Sequence, residues 1–378
     1  MKLNKTFGRI ATTLVATAML ASVAAVPAFA DKFGTDGVID NTTTHTEVTE
    51  IEFTKELLKP ATVNTPNKTF TFTLKNADVD ENATYTSSGK VLNLYDGVGA
   101  SGDGITASAN FTASMGVGEA EDGENVNTVS TTVKFNISSF AAQFTDAGVY
   151  KYDITEATES APYYNGDNLD LYLFVERYTE GDNEKYKVTG AVLTVDGQVN
   201  EKTDSTTNGY MVDPDDPENP DTNDLTITKT VEGAMGSHGE EFNFTVTLPG
   251  STEDIYNAQY EKDETTTPVT LHGGPNNNIK LSDDMTLRIY GLVDDTSTYI
   301  VKEDDYAEQG YETEINGQKR ENNTLSATYN AENNAVSVVN TRNAVSPTGL
   351  VMDIAPYALL VVVAAAGCFV FLRKRRED

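Results

Sequence analysis

Alternation of apolar and polar residues with a period of two is the feature that most limits what this 378-residue chain can fold into. It recurs in short runs, such as 69–74 and 131–135, which are separated by clusters of Gly, Asn and Asp. Residues with this period lie on alternate faces of a β-strand. Helical periodicity is absent outside the two ends of the chain. The sequence therefore predicts an all-β protein built of sandwiches.

The N-terminal end has the pattern of an export signal. A basic start is followed by an apolar stretch that closes on Ala28-Phe29-Ala30. A basic region, an apolar region and a small-x-small ending are typical of a secretory signal peptide. Residues 1–30 are therefore predicted to direct export of the chain and to be cleaved off before Asp31.

The C-terminal end carries a second apolar segment. Residues 354–372 contain no charged side chain, and their number is close to the roughly 20 that a helix needs to cross a bilayer. The basic tail 373–378 follows at once and is predicted to stay in the cytoplasm by the positive-inside rule. The precursor is therefore expected to be anchored in the membrane by a C-terminal transmembrane helix.

Charge and cysteine usage exclude several classes of function. The formal net charge is −31, and a surface this acidic repels nucleic acid. The only cysteine, Cys368, lies in the C-terminal apolar segment, so the exported part has no disulfide, cysteine nucleophile or thiolate metal site. His45, His238 and His272 stand far apart in polar contexts, and no metal or phosphate motif occurs. We expect no metal, no cofactor and no enzymatic activity on an external substrate.

A stiff linker divides the exported part. Residues 213–224 are dense in proline and carboxylates, which cannot continue a strand and favour an extended conformation. The sequence predicts a polar N-terminal lead at 31–46, a first domain at 47–212 and a second domain at 225–343.

Each domain opens with a strand that places a lysine among apolar residues. Lys55 has the same parity as Ile51, Phe53 and Leu57, and Lys229 has the same parity as its apolar neighbours in the run 225–231. A lysine that faces a core is costly unless it is paired or neutral. The alternative, that such a lysine extends to the solvent at a sheet edge, applies to most single cases.

The later parts of the two domains repeat further features in the same order. Each domain has an F-x-F strand and then a Y-x-x-x-E run, which ends at Glu156 in the first domain and at Glu303 in the second. Both glutamates share a strand face with apolar residues, and so does Asn340 near the end of the second domain. In the first domain the corresponding asparagine is Asn208, with Asn200 as an alternative. The shared order indicates two copies of one plan.

Lysine, glutamate and asparagine in an apolar core can react with one another. Burial lowers the pKa of a lysine and raises that of a glutamate, which favours a neutral amine and a protonated carboxyl. We expect the carboxyl to donate a hydrogen bond to the asparagine carboxamide oxygen and to polarise its carbon. Attack by the amine then releases ammonia and leaves an amide bond, and no external enzyme is needed.

With these features and its C-terminal tail, the chain resembles the backbone (major) pilins of Gram-positive bacteria, specifically the streptococcal T-antigen type. The tail has the order of a sortase sorting signal, in which a short motif precedes the apolar segment and the basic end. Proline is third in this motif rather than second as in L-P-x-T-G. The motif consists of Val345, Ser346, Pro347, Thr348 and Gly349.

The resemblance implies two tandem immunoglobulin-like (CnaB-type) β-sandwich domains, each with an intramolecular isopeptide bond. It assigns one bond to Lys55 and Asn208 and the other to Lys229 and Asn340. Glu156 and Glu303 would be the catalytic proton shuttles of the two sites.

The resemblance also implies covalent polymerisation at the cell surface. A pilus-specific sortase would cleave after Thr348, hold it as a thioester and transfer it to a lysine of an identical subunit. Lys202 is the candidate acceptor, with Lys185 and Lys187 as rivals. A housekeeping sortase would attach the polymer to peptidoglycan, and minor pilins are possible partners. The alternative is a monomeric wall-anchored adhesin, or a pilin of the base or tip.

Overall fold

The computed structural model describes residues 31–120, 125–218 and 224–344. The predicted signal peptide, sortase motif, transmembrane helix and cytoplasmic tail lie outside these residues. Within the described ranges, no helix is long and apolar enough to cross a membrane. The chain is all-β, as the sequence predicts, and its only helical elements in these ranges are four short 3₁₀ turns, at Ala113–Met115, Phe140–Ala142, Ala307–Gln309 and Glu321–Asn323.

The described residues of the first domain, 31–120 and 125–212, form fourteen strands. Their bounds are β1 Asp31–Lys32, β2 Val38–Asp40, β3 Glu50–Pro60, β4 Lys68–Asn76, β5 Thr84–Ser87, β6 Lys90–Asp96, β7 Ile105–Phe111, β8 Glu119–Ala120, β9 Val126–Asn136, β10 Gly148–Glu156, β11 Tyr163–Tyr164, β12 Leu169–Glu180, β13 Asn183–Val195 and β14 Ser205–Tyr210.

Ten strands make up the second domain. Their bounds are β15 Leu225–Glu232, β16 Phe242–Leu248, β17 Ile255–Lys262, β18 Thr265–His272, β19 Gly274–Leu281, β20 Met285–Ile289, β21 Thr298–Glu303, β22 Glu312–Ile315, β23 Thr324–Thr328 and β24 Ala335–Thr341.

The first domain is a sandwich of two sheets. One sheet has the order β11-β14-β3-β9-β8, with β1 beside β3, and the other has the order β2-β13-β12-β10-β4-β7, with β6 beside β10. The alternating residues of the strands face a shared core, in which Phe53 packs edge-on against Phe72 and is stacked on Phe135. A smaller cluster around Tyr85 and Tyr172 fills the outer face of the second sheet.

The second domain repeats the sandwich with fewer strands. Its sheets have the orders β18-β17-β20-β15-β24-β22 and β19-β16-β21-β23, with one apolar core between them. Both domains pair their first long strand in parallel with their last strand, β3 with β14 and β15 with β24. This pairing places the opening lysine of each domain beside its closing asparagine.

The N-terminal lead, predicted as separate from the first domain, instead contributes strands to both of its sheets. β1 pairs in parallel with β3, and β2 pairs antiparallel with β13. Phe33 and Ile39 are buried in the first-domain core. These two apolar side chains hold the segment on the domain, although most of the residues around them are polar.

The loop of residues 61–67 and Tyr210 at the end of β14 in the first domain lie against the second domain. Asn67 donates a hydrogen bond from Nδ2 to Asp254 Oδ1 at 2.7 Å. Asn257 donates one from Nδ2 to the Thr62 carbonyl at 2.9 Å. These contacts place the C-terminal end of β14 and the start of β15 at the joint between the domains.

Candidate functional site

The lysines that open the two domains are fully buried. Lys55 and Lys229 each have a relative exposure of 0%. Both lie at the centre of a sheet, with strand neighbours on both sides, so neither side chain can extend to the solvent at a sheet edge. The burial of each amine therefore needs chemical compensation within the core.

Three polar groups meet in the first-domain core. Lys55 Nζ lies 3.0 Å from Glu156 Oε2 and 2.5 Å from Asn208 Oδ1. Asn208 donates from Nδ2 to Glu156 Oε1 at 2.6 Å. One carboxyl group therefore touches both the amine and the carboxamide nitrogen.

The second domain has an equivalent arrangement. Lys229 Nζ lies 3.1 Å from Glu303 Oε1. Asn340 donates from Nδ2 to the same carboxyl at 3.1 Å, and Thr313 donates from Oγ1 to Glu303 Oε2 at 3.1 Å. The amine–carboxyl contact lacks the angles of a hydrogen bond, so Lys229 Nζ has no hydrogen-bond acceptor among the described residues.

Strand register explains why the two triads match. Lys55 is paired with Thr206 and Lys229 with Val338, so in both domains the asparagine lies two residues further along the parallel neighbour, on the same face. The glutamates come from the opposite sheet. Glu156 is paired with Phe72 there, the second phenylalanine of the F-x-F strand, and Glu303 is paired with Phe244 in the same way.

Burial sets the protonation states that this chemistry needs. Desolvation lowers the pKa of Lys229 to about 8, although the Glu303 carboxylate acts in the opposite direction. Desolvation also raises the pKa of Glu303. The pKa of Lys55 is lowered by desolvation as well, in spite of Glu156 beside it. Burial therefore shifts both lysines towards the neutral amine, and in the second domain it shifts Glu303 towards the neutral acid.

Aromatic rings enclose the amines. Lys55 Nζ lies 5.3 Å from the centroid of Phe70 and 5.5 Å from that of Phe72. Lys229 Nζ lies 4.5 Å from the centroid of Phe242. The F-x-F strands that occur in both domains thus form a wall of each site and exclude water from it.

The glutamates lie differently from the sequence expectation. Glu156 and Glu303 contact the carboxamide nitrogen, not the carboxamide oxygen. The oxygen of Asn208 instead accepts from Lys55 and from the backbone N–H of Gly166, at 2.6 Å. The carboxyl is therefore placed to move a proton from the amine to the leaving nitrogen.

The remaining candidates of the first domain lie at its surface. Asn200 is exposed in the turn after β13, so of the two asparagines left open it is Asn208 that reaches Lys55. Lys202 is exposed beside Thr194 and forms no ion pair within the described part of the chain. Lys185 is paired with Glu180, and Lys187 donates to the His45 carbonyl at 2.7 Å.

A third lysine, Lys59, is also buried, although it was not predicted from the sequence. Lys59 has a relative exposure of 0% and donates from Nζ to the Val63 carbonyl at 2.6 Å and to the Val117 carbonyl. Burial lowers its pKa to about 8. Lys59 lies on the same face of β3 as Lys55, and this shared parity is the sequence feature that indicates its burial. No carboxyl group contacts Lys59 among the described residues, so this lysine lacks the proton carrier that the other two sites have.

No group of histidine, cysteine or carboxylate side chains with the arrangement of a metal site occurs in residues 31–120, 125–218 and 224–344. The acidic character of the chain is therefore spread over its described surface and does not form a metal centre there.

The sequence is similar to one domain family and to a known pilin. Residues 223–342 match a family described as a domain of unknown function, DUF7601. A pilin of Streptococcus pyogenes serotype M1 is 25% identical over 264 residues, which cover 65% of this chain and 72% of that protein.

Solved structures agree with this similarity. The crystal structure of the major pilin from Streptococcus pyogenes matches with a TM-score of 0.50 at 19% identity, over 78% of this chain and 99% of that one. The major pilin T3.2 from the same species matches with a TM-score of 0.52 at 19% identity, over 82% of this chain and 100% of that one. The chain therefore has the tandem β-sandwich fold of these major pilins.

Proposed function

We propose that this protein is the structural subunit of a pilus shaft, joined covalently to identical subunits and strengthened by two internal Lys–Asn isopeptide bonds. The observation that carries the proposal is the repetition of one buried triad. Lys55, Glu156 and Asn208 in the first domain have the same strand register as the three residues of the second. The similarity to a pilin and the shared fold of two major pilins support it.

The geometry of the first site supports a direct reaction. Neutral Lys55 Nζ attacks Cγ of Asn208, and a proton passes from Nζ to Glu156 Oε2, 3.0 Å away. Glu156 gives a proton from Oε1 to Nδ2, 2.6 Å away. The Nζ–Cγ bond forms, the Cγ–Nδ2 bond breaks, and ammonia leaves. The glutamate ends as it began, and proximity replaces an external catalyst.

The same bonds form and break at Lys229 and Asn340, but here both nitrogens lie 3.1 Å from one oxygen of Glu303, Oε1, which would take up the proton and pass it on. Their product is neutral, so the reaction removes the buried amine that desolvation disfavours. Each bond would tie the first long strand of a domain to its last, which suits a protein that must resist pulling and proteolysis without disulfides.

Polymerisation would use the two far ends of the molecule. β14 runs from Ser205 towards the joint, so Lys202 lies at the end of the first domain remote from the second. β24 runs away from the joint in parallel with β15 and ends at Thr341. A bond from Thr348 of one subunit to Lys202 of the next would therefore connect subunits head to tail.

The test is polymer formation with a pilus-specific sortase from the same bacterium. The shaft proposal expects a ladder of high-mass species that resists boiling in detergent. Lys202→Arg should abolish the ladder, whereas Lys185→Arg, a matched exposed lysine, should leave it. Monomers attached only to the wall would contradict the proposal and favour the adhesin alternative. A ladder that persists in Lys202→Arg would move the acceptor to another lysine.

A further inference from the structure

The carboxamide oxygens of the two sites have different surroundings. Asn208 Oδ1 accepts a hydrogen bond from the backbone N–H of Gly166 at 2.6 Å, besides its contact with Lys55. Asn340 Oδ1 is equally buried and has no hydrogen-bond partner among the described residues. The two triads thus share their side chains but not the donor on the reacting oxygen.

The loop that carries Gly166 lies between β11 and β12 and is fixed on both sides. Before it, the Asn165 side chain accepts from the Glu159 N–H at 2.7 Å and donates to the Glu159 carbonyl at 3.2 Å. After it, the Asp167 carbonyl accepts from Thr206 Oγ1 at 3.0 Å. The N–H is therefore held in place before any reaction takes place.

Only glycine fits at this position. A Cβ on residue 166 would lie 2.6 Å from Asn208 Oδ1, 2.6 Å from the Thr207 carbonyl oxygen and 2.7 Å from Thr206 Oγ1. All three distances are far below van der Waals contact. A larger residue would push the loop away from β14 and remove the N–H from the carboxamide.

The reaction places negative charge on this oxygen. When an amine attacks a carboxamide carbon, the carbonyl oxygen becomes an oxyanion in the tetrahedral intermediate. Glu156 faces the leaving nitrogen and cannot stabilise that oxygen at the same time. A fixed donor aimed at developing charge is among the most effective contributions to catalysis, and removal of one such donor typically costs about 100- to 1,000-fold in rate.

We propose that the backbone N–H of Gly166 is the oxyanion donor of the first site, and that the second site forms its bond without one. The inference rests on the proposed isopeptide chemistry and adds a catalytic group to it. We therefore expect removal of this N–H to slow formation of the bond between Lys55 and Asn208 and to leave the rate at the second site unchanged.

The test replaces the Gly166 N–H by an ester oxygen. The chain of residues 31–344 is made by cell-free translation with glycolic acid at codon 166, which removes one hydrogen and adds no bulk. A labelling pulse is followed by a chase, samples are quenched in acid denaturant, and digestion gives the linked peptide of each site by mass spectrometry. We expect the first bond to form at least about tenfold more slowly, and the second at the wild-type rate.

A second ester, at Gly37, is the matched control. It removes the hydrogen bond from the Gly37 N–H to the Gly34 carbonyl, at 2.7 Å, in a turn outside both triads. Both bonds should then form at wild-type rates. Gly166→Ala should suppress the first bond more strongly than the ester does, because its methyl group displaces the loop.

Three outcomes would overturn the inference. One is a first bond that forms within tenfold of the wild-type rate in the Gly166 ester. Another is a slowing matched by the Gly37 ester, or accompanied by loss of protease resistance in the first domain, which would assign the effect to folding. The last is a wild-type chain that forms neither bond, which would refute the proposed chemistry itself and the inference with it.

Discussion

The substitution Glu303→Gln separates the crosslink of the second domain from its fold. Gln keeps the size of the side chain and can still contact Thr313 and Asn340, but it cannot take a proton from Lys229 and pass it on. We expect a chain with the first bond and without the second. Relative to the mass of its own sequence, the variant should then lack one ammonia, whereas the wild type should lack two.

The loss of stability has two parts. Lys229 and Asn340 are 111 positions apart, and closing a loop of this size stabilises a fold by about 5 kcal/mol if the disulfide scaling holds. In the variant, Lys229 stays a buried amine; burial lowers its pKa from 10.5 to about 8 even with the Glu303 carboxylate beside it, and removal of that carboxylate lowers the pKa further. Keeping this amine in the core at neutral pH therefore costs at least about 3 kcal/mol, at 1.36 kcal/mol per unit of pKa.

Differential scanning calorimetry measures the sum. For a domain of this size, about 8 kcal/mol corresponds to a melting temperature lower by about 30 °C. Glu312→Gln, which removes only an exposed contact with Lys319, is the matched control and should shift the melting temperature by a few degrees at most. A variant that lacks the bond but melts within about 10 °C of the wild type would contradict this expected loss of stability.

The same variant has a predictable pH dependence. A lysine whose folded pKa lies below its unfolded pKa binds more protons in the unfolded state, so stability rises with pH between the two values. For Lys229 the upper end of this interval is 10.5, and the lower end lies below 8, because the value of about 8 includes the Glu303 carboxylate that the variant lacks. The stability difference between wild type and variant should therefore shrink as the pH rises through this interval and should be smallest above pH 10.5.

Three further perturbations give distinct expectations. The melting temperature of Lys59→Met, relative to that of the wild type, should fall as the pH rises from about 8 to 10.5, because burial lowers the pKa of Lys59 from 10.5 to about 8 and the wild type gains stability over that interval; a pH-independent difference in calorimetry would contradict this. Asn208→Ala should abolish the first bond and Asn200→Ala should leave it, as read from linked peptides; the reverse result would move the site to the exposed turn. Asn67→Ala removes a hydrogen bond at the joint and should broaden the distribution of interdomain distances in spin-label measurements, whereas an unchanged distribution would show that the remaining contacts suffice.

The sequence was most informative where strand parity applies. A period of two assigns Lys229, Glu303 and Asn340 to core-facing positions, and the structure buries all three. Parity says nothing about a loop, so it could not reveal Gly166, whose contact with Asn208 depends on how two distant segments pack. Lys59 obeys the same parity as Lys55 and could have been found by extending the alternation of β3 by one more pair of residues.

The roles of the glutamates show a second limit. Sequence pattern placed Glu156 in the core but could not say which atom of Asn208 it meets. That choice depends on the offset of two residues between β3 and β14 and on the Gly166 N–H, which already binds the carboxamide oxygen. The lead 31–46 was misjudged because its two apolar anchors, Phe33 and Ile39, are few among polar residues.

The most direct test of the central claim is the intact mass of the exported chain, residues 31–344, produced in a host without sortase. We predict a mass lower than the sequence value by two ammonia molecules, with linked peptides that join Lys55 to Asn208 and Lys229 to Asn340. A mass equal to the sequence value would contradict it, because the buried lysines would then be unreacted amines and neither triad would have formed its bond.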